Sequence, residues 1–464
     1  MYRTRSRLRK SGRSVLAGVA VLTAMTLTAP LASAAGDLPK AHGSQAVCGG
    51  VLAMFGCRSQ VATVDGEILR GPEPIGWGAG DLRAAYRLPA RSPHRGTIAL
   101  INVGPYPTLS DDLAVYREQY GLPACGADDG CFRQMDFTGG PALPSPGTDD
   151  EKLIAQGSAI ETALDVDMAS ATCPSCRLLS VQIPIGNGPT DPTNAAGYDR
   201  YAAAFGKAVR TAIDAGADAI SISYALPGSE NTLHGPIAEA LDHRGVAITA
   251  AAGDLGFNGN GNTAVGVTNP GFTGTAAVWP QALPTVTAVG GTTLVGQNHR
   301  YLQGAWAQGG SGCTPGVTPP EGQPATISAL CQGSRASTDV AAVAENLAMY
   351  TSYRPADHTE AGWLVLAGTS AAAPQIAGMY AAGRKLRDVR GPNTLYRAPS
   401  LAFSDIESGA NLIPPWSGTD GHCSAAWEHK PDKPPTRFDD RMCRAERGWD
   451  GPTGLGVPHG LLAF

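Results

Sequence analysis

Thr97-Ile-Ala-Leu-Ile-Asn-Val103 is a short, largely apolar run that begins after Gly96 and stops at Gly104. Its length, β-branched content and flanking glycines predict a strand buried on both faces. Further runs of this kind lie at 178–183, 219–224, 246–250 and 285–289. Stretches of helical period separate them, at 109–120, 158–170, 196–215 and 237–243, and another runs over 370–386. This alternation predicts an α/β fold: a doubly wound, mostly parallel sheet flanked by helices. In such sheets reactive groups gather beyond the carboxyl ends of the strands. Function is therefore sought at the strand-to-helix joints.

The rest of the composition suits that reading. Of 464 residues 43% are hydrophobic and 16% charged, with 59 Gly and 36 Pro, a loop-rich globular chain. Arg3, Arg5, Arg7, Arg9, Lys10 and Arg13 precede an apolar stretch at 15–31 and then Ala32-Ser-Ala34. Basic, apolar and small residues in that order predict a signal peptide over 1–34 and a secreted protein free of the membrane once cleaved. Those residues hold six of the 35 Lys+Arg and none of the 40 Asp+Glu, so the cleaved chain carries 29 cations against 40 anions. Such a surface excludes nucleic acid as a natural partner. Ten cysteines fit an oxidising compartment. Pairing near neighbours predicts Cys48–Cys57, Cys125–Cys131, Cys173–Cys176, Cys313–Cys331 and Cys423–Cys443. Cys173-Pro-Ser-Cys176 precedes a strand rather than opening a helix, so it reads as a structural disulfide and not a redox motif. Residues 35–90 read as irregular.

Three windows carry chemistry. Gly368-Thr-Ser-Ala-Ala-Ala-Pro374 follows an apolar run and opens a helix, so backbone N–H groups converge near Ser370 and suit a developing oxyanion. A serine in that place is otherwise an ordinary helix cap. A nucleophilic serine needs a base. No histidine stands in a Gly-Thr-His setting that opens a helix, and the G-x-S-x-G elbow is missing around Ser370. Glu161-Thr-Ala-Leu-Asp165 supplies a candidate: spacing by four puts both carboxylates on one helix face, one turn apart. Two such acids relieve their repulsion by sharing a proton and titrate as a unit. Acids so spaced commonly lie on a solvated face, but Ile160, Ala163, Leu164, Val166 and Met168 surround these, while Asp167 reads as the solvated acid. Finally, Thr249-Ala-Ala-Ala-Gly-Asp254 ends a strand in a tight turn. There a protonated Asp254 can donate to an oxyanion, or an ionised one can simply satisfy the turn.

These windows, in this order, resemble the sedolisin family of serine-carboxyl peptidases, which have a subtilisin-like fold. The likeness runs from about Gly78 to Pro458 and includes Leu164-Asp-Val-Asp-Met-Ala169, Trp279-Pro280, Ala288-Val-Gly-Gly-Thr292, Gly310-Ser-Gly-Cys313 and Asp339-Val-Ala-Ala342. The resemblance implies that Ser370 is the nucleophile, Glu161 the general base, Asp165 its partner and Asp254 the oxyanion donor. It implies protein or peptide substrates, an acidic working range and a peptidase domain over 78–464 after an irregular segment at 35–77. It also implies a Ca²⁺ site with Asp405 and Asp450 as side-chain ligands and Ile406 and Gly448 as carbonyl ligands. A monomer is expected.

Some positions depart from the family. Glu446 replaces a glycine near the calcium ligands, and an insertion at 411–444 splits that site. Ala225 ends Ser221-Ile-Ser-Tyr-Ala where the family has glycine, and Ala251-Ala252 stands where serine is usual. The family's long folded propeptide has no room in the roughly 60 residues before the sheet, so activation must work differently. A catalytically weak or inactive relative that binds peptides or proteins is the alternative.

Overall fold

The computed structural model describes residues 43–47, 59–65, 67–189, 195–258, 278–297, 300–356, 362–413, 421–424 and 437–464. The signal-peptide reading of 1–34 and the Cys48–Cys57 pairing lie outside these residues. Thr97–Val103 is a central strand of an eight-stranded sheet. The order across the sheet is Phe132–Asp136, Arg177–Ile183, Thr97–Val103, Ala219–Ile222, Ala247–Ala251 and Thr287–Gln297. All of these neighbours pair in parallel, and Val340–Val343 pairs in parallel with Thr287–Gln297. Only Arg300–Ala305 runs antiparallel, as the return arm of a hairpin. The predicted doubly wound α/β sheet is the architecture.

Period two in the strand assigns its side chains to two layers. Ile98 and Leu100 pack with the helices Asp149–Thr172 and Thr369–Ala382, whereas Ala99, Ile101 and Val103 pack with the helix Ala195–Asp214. Asp149–Thr172 starts earlier than its apolar pattern suggests. Thr148 Oγ accepts from the Glu151 N–H, and the Glu151 carboxylate accepts from the Thr148 N–H, a reciprocal cap that extends the helix into polar sequence.

The two helices on the first face lie very close. A β-carbon on Gly378 would stand 2.2 Å from Thr172 Oγ1 and 3.2 Å from the Ala169 carbonyl. That approach brings the start of the Ser370 helix against the Glu161 face. Pro374 sits inside this helix and has no N–H to give to the carbonyl of Ser370 four residues back. Ser223 Oγ donates to that carbonyl instead, at 3.1 Å.

A second sheet corrects the reading of 35–90 as irregular. Gly43–Ala46 pairs antiparallel with Gln60–Val64, which pairs antiparallel with Gly362–Ala367, itself paired with Leu347–Thr351. Ala79–Ala85 is a short helix. The N-terminal strands are short, four and five residues, and find their partner on the edge of Gly362–Ala367. No local periodicity reveals an edge supplied from some 300 residues away.

Four of the predicted disulfides are present: Cys125–Cys131, Cys173–Cys176, Cys313–Cys331 and Cys423–Cys443. The Cys173–Cys176 bridge joins the end of Asp149–Thr172 to the start of Arg177–Ile183, a structural loop as read. Among the described residues no helix is long and apolar enough to cross a membrane.

Candidate active site

Glu161 and Asp165 lie within Asp149–Thr172, Ser370 is the second residue of Thr369–Ala382, and Asp254 follows the strand Ala247–Ala251. The fold brings all four together. Each is buried: Ser370 and Asp254 are 1% exposed, Glu161 and Asp165 0%.

Asp254 occupies a turn that Gly253 enters at φ +103°, a conformation open to glycine. Its Oδ1 accepts from the Thr369 backbone N–H at 2.8 Å and from Thr369 Oγ1 at 2.8 Å. Asp254 thus serves the first N–H of the Ser370 helix, across the fold. Gly368 is required by close approach: a β-carbon there would lie 3.0 Å from Asp254 Oδ2 and 3.1 Å from Ser59 Oγ.

The carboxylate pair is held by hydroxyl and amide groups. Ser59 Oγ donates to Glu161 Oε2 at 2.5 Å. Asn102 Nδ2 donates to Asp165 Oδ2 at 3.0 Å, and Asn102 Oδ1 accepts from Ser180 Oγ at 2.9 Å. Ser223 Oγ lies 2.5 Å from Asp165 Oδ1. Burial pushes the Glu161 carboxyl up to about 7, opposed by hydrogen bonds with Ser59 and Ser370 and reinforced by the charge of Asp254. Burial, and then the charge of Glu161, raise Asp165 well above the carboxylate range, against the hydrogen bonds from Ser223 and Asn102. Ser223 Oγ donates to Asp165 Oδ1 at 2.5 Å and lies 3.1 Å from the Ser370 carbonyl, so its one hydroxyl proton serves two acceptors. Ser370 Oγ is 3.3 Å from the Ser223 carbonyl, to which it donates.

Three supporting residues escaped the sequence reading. Asn102 left a signal, a polar side chain inside an apolar strand run next to its carboxyl end. Ser223 sits in Ser221-Ile-Ser, where alternation puts it on the same face as Ser221. Ser59 left none. Asp167, read as solvated, is fully buried: its Oδ2 accepts from the Tyr350 N–H at 3.2 Å, and burial raises its pKa well above the usual range.

Asp405, Ile406, Gly448 and Asp450 form a second group. Asp405 Oδ2 accepts from the Gly448 N–H at 2.8 Å, and Asp450 Oδ1 accepts from Thr453 N and Oγ1 at 2.8 and 2.9 Å. Asp450 Oδ2 accepts from the N–H of Glu446, the position where a glycine is expected. Burial pushes Asp450 up to about 7, and the charge of Asp405 adds to that rise. Two interacting carboxylates with hard oxygen donors beside them are chemically suited to a divalent cation. Among the described residues no cluster of three or more His, Cys, Asp or Glu side chains is arranged for a metal, so any such site draws on carbonyls.

The chain matches the subtilase family (peptidase family S8) over residues 154–395, a span holding Glu161, Asp165, Asp254 and Ser370. Among solved structures it is similar to Pseudomonas sedolisin, a serine-carboxyl proteinase complexed with two molecules of pseudo-iodotyrostatin. That likeness has a TM-score of 0.57 and 19% identity, covering 84% of this chain and 96% of the other. It is also similar to an S41 psychrophilic protease (TM-score 0.45, 18% identity, 83% and 98% covered) and to Sphericase (0.43, 18%, 84% and 98%). No curated protein matches it. The sedolisin likeness establishes the subtilisin-like fold. Since the family match extends over more than half of the 464 residues, the chain belongs to the subtilase family of serine peptidases and acts on peptides or proteins.

Proposed function

We propose that the protein is a serine-carboxyl peptidase of the sedolisin type, secreted and active on the acidic side of neutrality. The observation that supports this reading is the buried convergence of Ser370, Glu161 and Asp165 with Asp254 at the start of the Ser370 helix. Ser370 Oγ attacks the scissile carbonyl carbon and passes its proton to Glu161. The oxyanion takes hydrogen bonds from a protonated Asp254 and from helix N-terminal N–H groups. Glu161 then protonates the leaving amine, the C–N bond breaks, and the acyl group stays on Ser370. Water, deprotonated by Glu161, attacks that ester and releases the acid and the serine. Asp165 holds the proton of the pair, leaving the negative charge to Glu161.

Activity on the acidic side requires Glu161 to ionise there, below the value of about 7 that burial imposes in this arrangement, and Asp254 to stay protonated, so the pH profile has a limb on each side. Peptide cleavage assayed from pH 3 to 8 tests the reading, with loss expected in both Ser370→Ala and Glu161→Ala. A folded protein that cleaves nothing at any pH would leave the second reading, an inactive relative that binds peptides or proteins. The burial of Ser370 is what favours that second reading. In addition, the Asp405 and Asp450 side chains and the Ile406 and Gly448 carbonyls would hold Ca²⁺, which neutralises two carboxylates and ties the C-terminal loops.

A further inference from the structure

We propose that an arginine-rimmed groove at the end of the sheet opposite Ser370 is a docking site for an acidic, partly apolar segment of a protein substrate. The proposal rests on the peptidase reading for what the bound chain is, and gives that reading a substrate class. Thr97–Val103 links the two places. Its first residue pairs with Arg177 at the groove, while Asn102, near its other end, holds Asp165. A strand of seven residues sets them about 23 Å apart.

Two adjoining hollows form the groove. Arg83, Arg91, Arg95, Leu122, Pro123 and Pro174 line the larger, of about 620 Å³. The smaller, of about 290 Å³, shares Arg95 and Ser175 with it and adds Arg177. Among the described residues none of these four arginines has a carboxylate in ion-pair contact. Three of them donate to neutral oxygens: Arg83 to the Pro89 carbonyl at 2.8 Å, Arg95 to the Ser175 carbonyl at 3.2 Å and Arg177 to Thr97 Oγ1 at 3.1 Å. Asp129, the acid of the smaller hollow, is turned to the backbone, its Oδ1 accepting from Gly126 N and Cys131 N at 3.2 and 2.8 Å. Arg83 is half-buried, and burial lowers its pKa, a penalty that an incoming anion relieves. In a chain with more acids than cations, the cluster is a local reversal of charge.

The floor is held rigid. Arg117 lies buried and donates to the Pro123 carbonyl at 2.5 Å, the Pro174 carbonyl at 2.7 Å and Ser170 Oγ at 2.5 Å. One side chain thus ties both loops of the floor, and Cys125–Cys131 and Cys173–Cys176 close those same loops. A preformed groove needs little ordering on binding. Guanidinium groups take carboxylates through paired bonds, while Leu122, Pro123 and Pro174 offer apolar contact. This mixture fits a peptide of acidic and apolar residues; a phosphate polymer has nothing for the floor. A substrate held here by an acidic stretch keeps the rest of its chain near Ser370 and raises its effective concentration there.

Binding is measured on the full chain carrying Ser370→Ala, with a fluorescein-labelled Glu-Leu repeat peptide at about pH 6, where its carboxylates are ionised. A Lys-Leu repeat and inorganic polyphosphate serve as the other probes. The Glu-Leu peptide should bind, less tightly as salt rises, and at least about tenfold less tightly when Arg91→Glu and Arg95→Glu are combined. Both arginines are exposed, so circular dichroism of this variant should match its parent. Equal affinity in variant and parent, or affinity indifferent to salt, overturns the groove. Tighter binding of the Lys-Leu repeat or of polyphosphate overturns the acidic-peptide assignment. Turnover is the second arm, with Ser370 restored. Arg91→Glu with Arg95→Glu should raise KM for a protein substrate bearing an acidic tail at least about fivefold, leaving kcat and the cleavage of short neutral peptides unchanged. An unchanged KM for the acidic-tailed substrate overturns the role in capture. Peptide bound at the groove with no substrate cleaved at any pH removes the peptidase reading, and the substrate role with it.

Discussion

Two fully buried carboxylate sites in this molecule are solved in opposite ways. At Asp339 both oxygens meet the guanidinium of Arg335, Oδ1 from Nη1 and Oδ2 from Nη2, each at 2.6 Å. Tyr396 OH and the Ala288 N–H add bonds of 2.8 and 2.7 Å. At Glu161 and Asp165 the ligands named above are hydroxyls and an amide, from Ser59, Ser223 and Asn102. The first site fixes a charge permanently beside its counter-charge. The second makes a charge expensive, so a proton is held there and can be passed on. Equal burial of like residues therefore says little about role; the partner decides.

The sharpest way to break this contrast is to neutralise one site at a time. Glu161→Gln keeps the shape of the side chain and should lower kcat/KM at least about 10⁴-fold, with the melting temperature maintained or raised. Arg335→Met should do the reverse, costing about 3–5 kcal/mol in chemical denaturation by leaving Asp339 buried and unpaired. A loss of stability in the first or a loss of turnover alone in the second would collapse the distinction. A smaller effect is expected for Gly368→Ala, whose new methyl must displace Asp254 Oδ2 or Ser59 Oγ. Contacts of 3.0 and 3.1 Å call for a shift of a few tenths of an ångström, so kcat should fall by less than the roughly 10²-fold that a full ångström costs, and steady-state kinetics on folded protein reads it.

The mildest test is pH. Glu161 has an ordinary value of 4.5 and stands at about 7 in the fold, and Asp165 and Asp167 are raised too. Below pH 4.5 folded and unfolded chains both hold the Glu161 proton, and its burial costs no ionisation. Between 4.5 and 7 the folded chain alone keeps it; above 7 the full penalty applies. Stability should thus fall as pH rises through this window, by up to about 1.4 kcal/mol per pH unit for each such group. Melting curves at pH 5 and 7.5 measure the slope, and Glu161→Gln should flatten it. A wild-type protein more stable at pH 7.5 than at 5 would show that the pair is not charged at a cost.

Strand and helix order was legible because it rests on local physics. Apolar runs such as Thr97–Val103 bury on two faces wherever they fall, and a four-residue spacing puts Glu161 and Asp165 on one face of any helix. Glu161, Asp165, Asp254 and Ser370 could be nominated from such windows and from their order along the chain. Their company could not. Asn102, Ser223 and Ser59 reach the carboxylates from three separate segments, and the N-terminal strands exist only because Gly362–Ala367 offers an edge. Asp167 shows the same limit: read as solvated in the sequence, it is buried by the fold, with its Oδ2 on the Tyr350 N–H. Local pattern determined the elements and the reactive residue types. Burial and partner choice, which set charge, pKa and access, were decided by tertiary contacts between residues far apart in the chain.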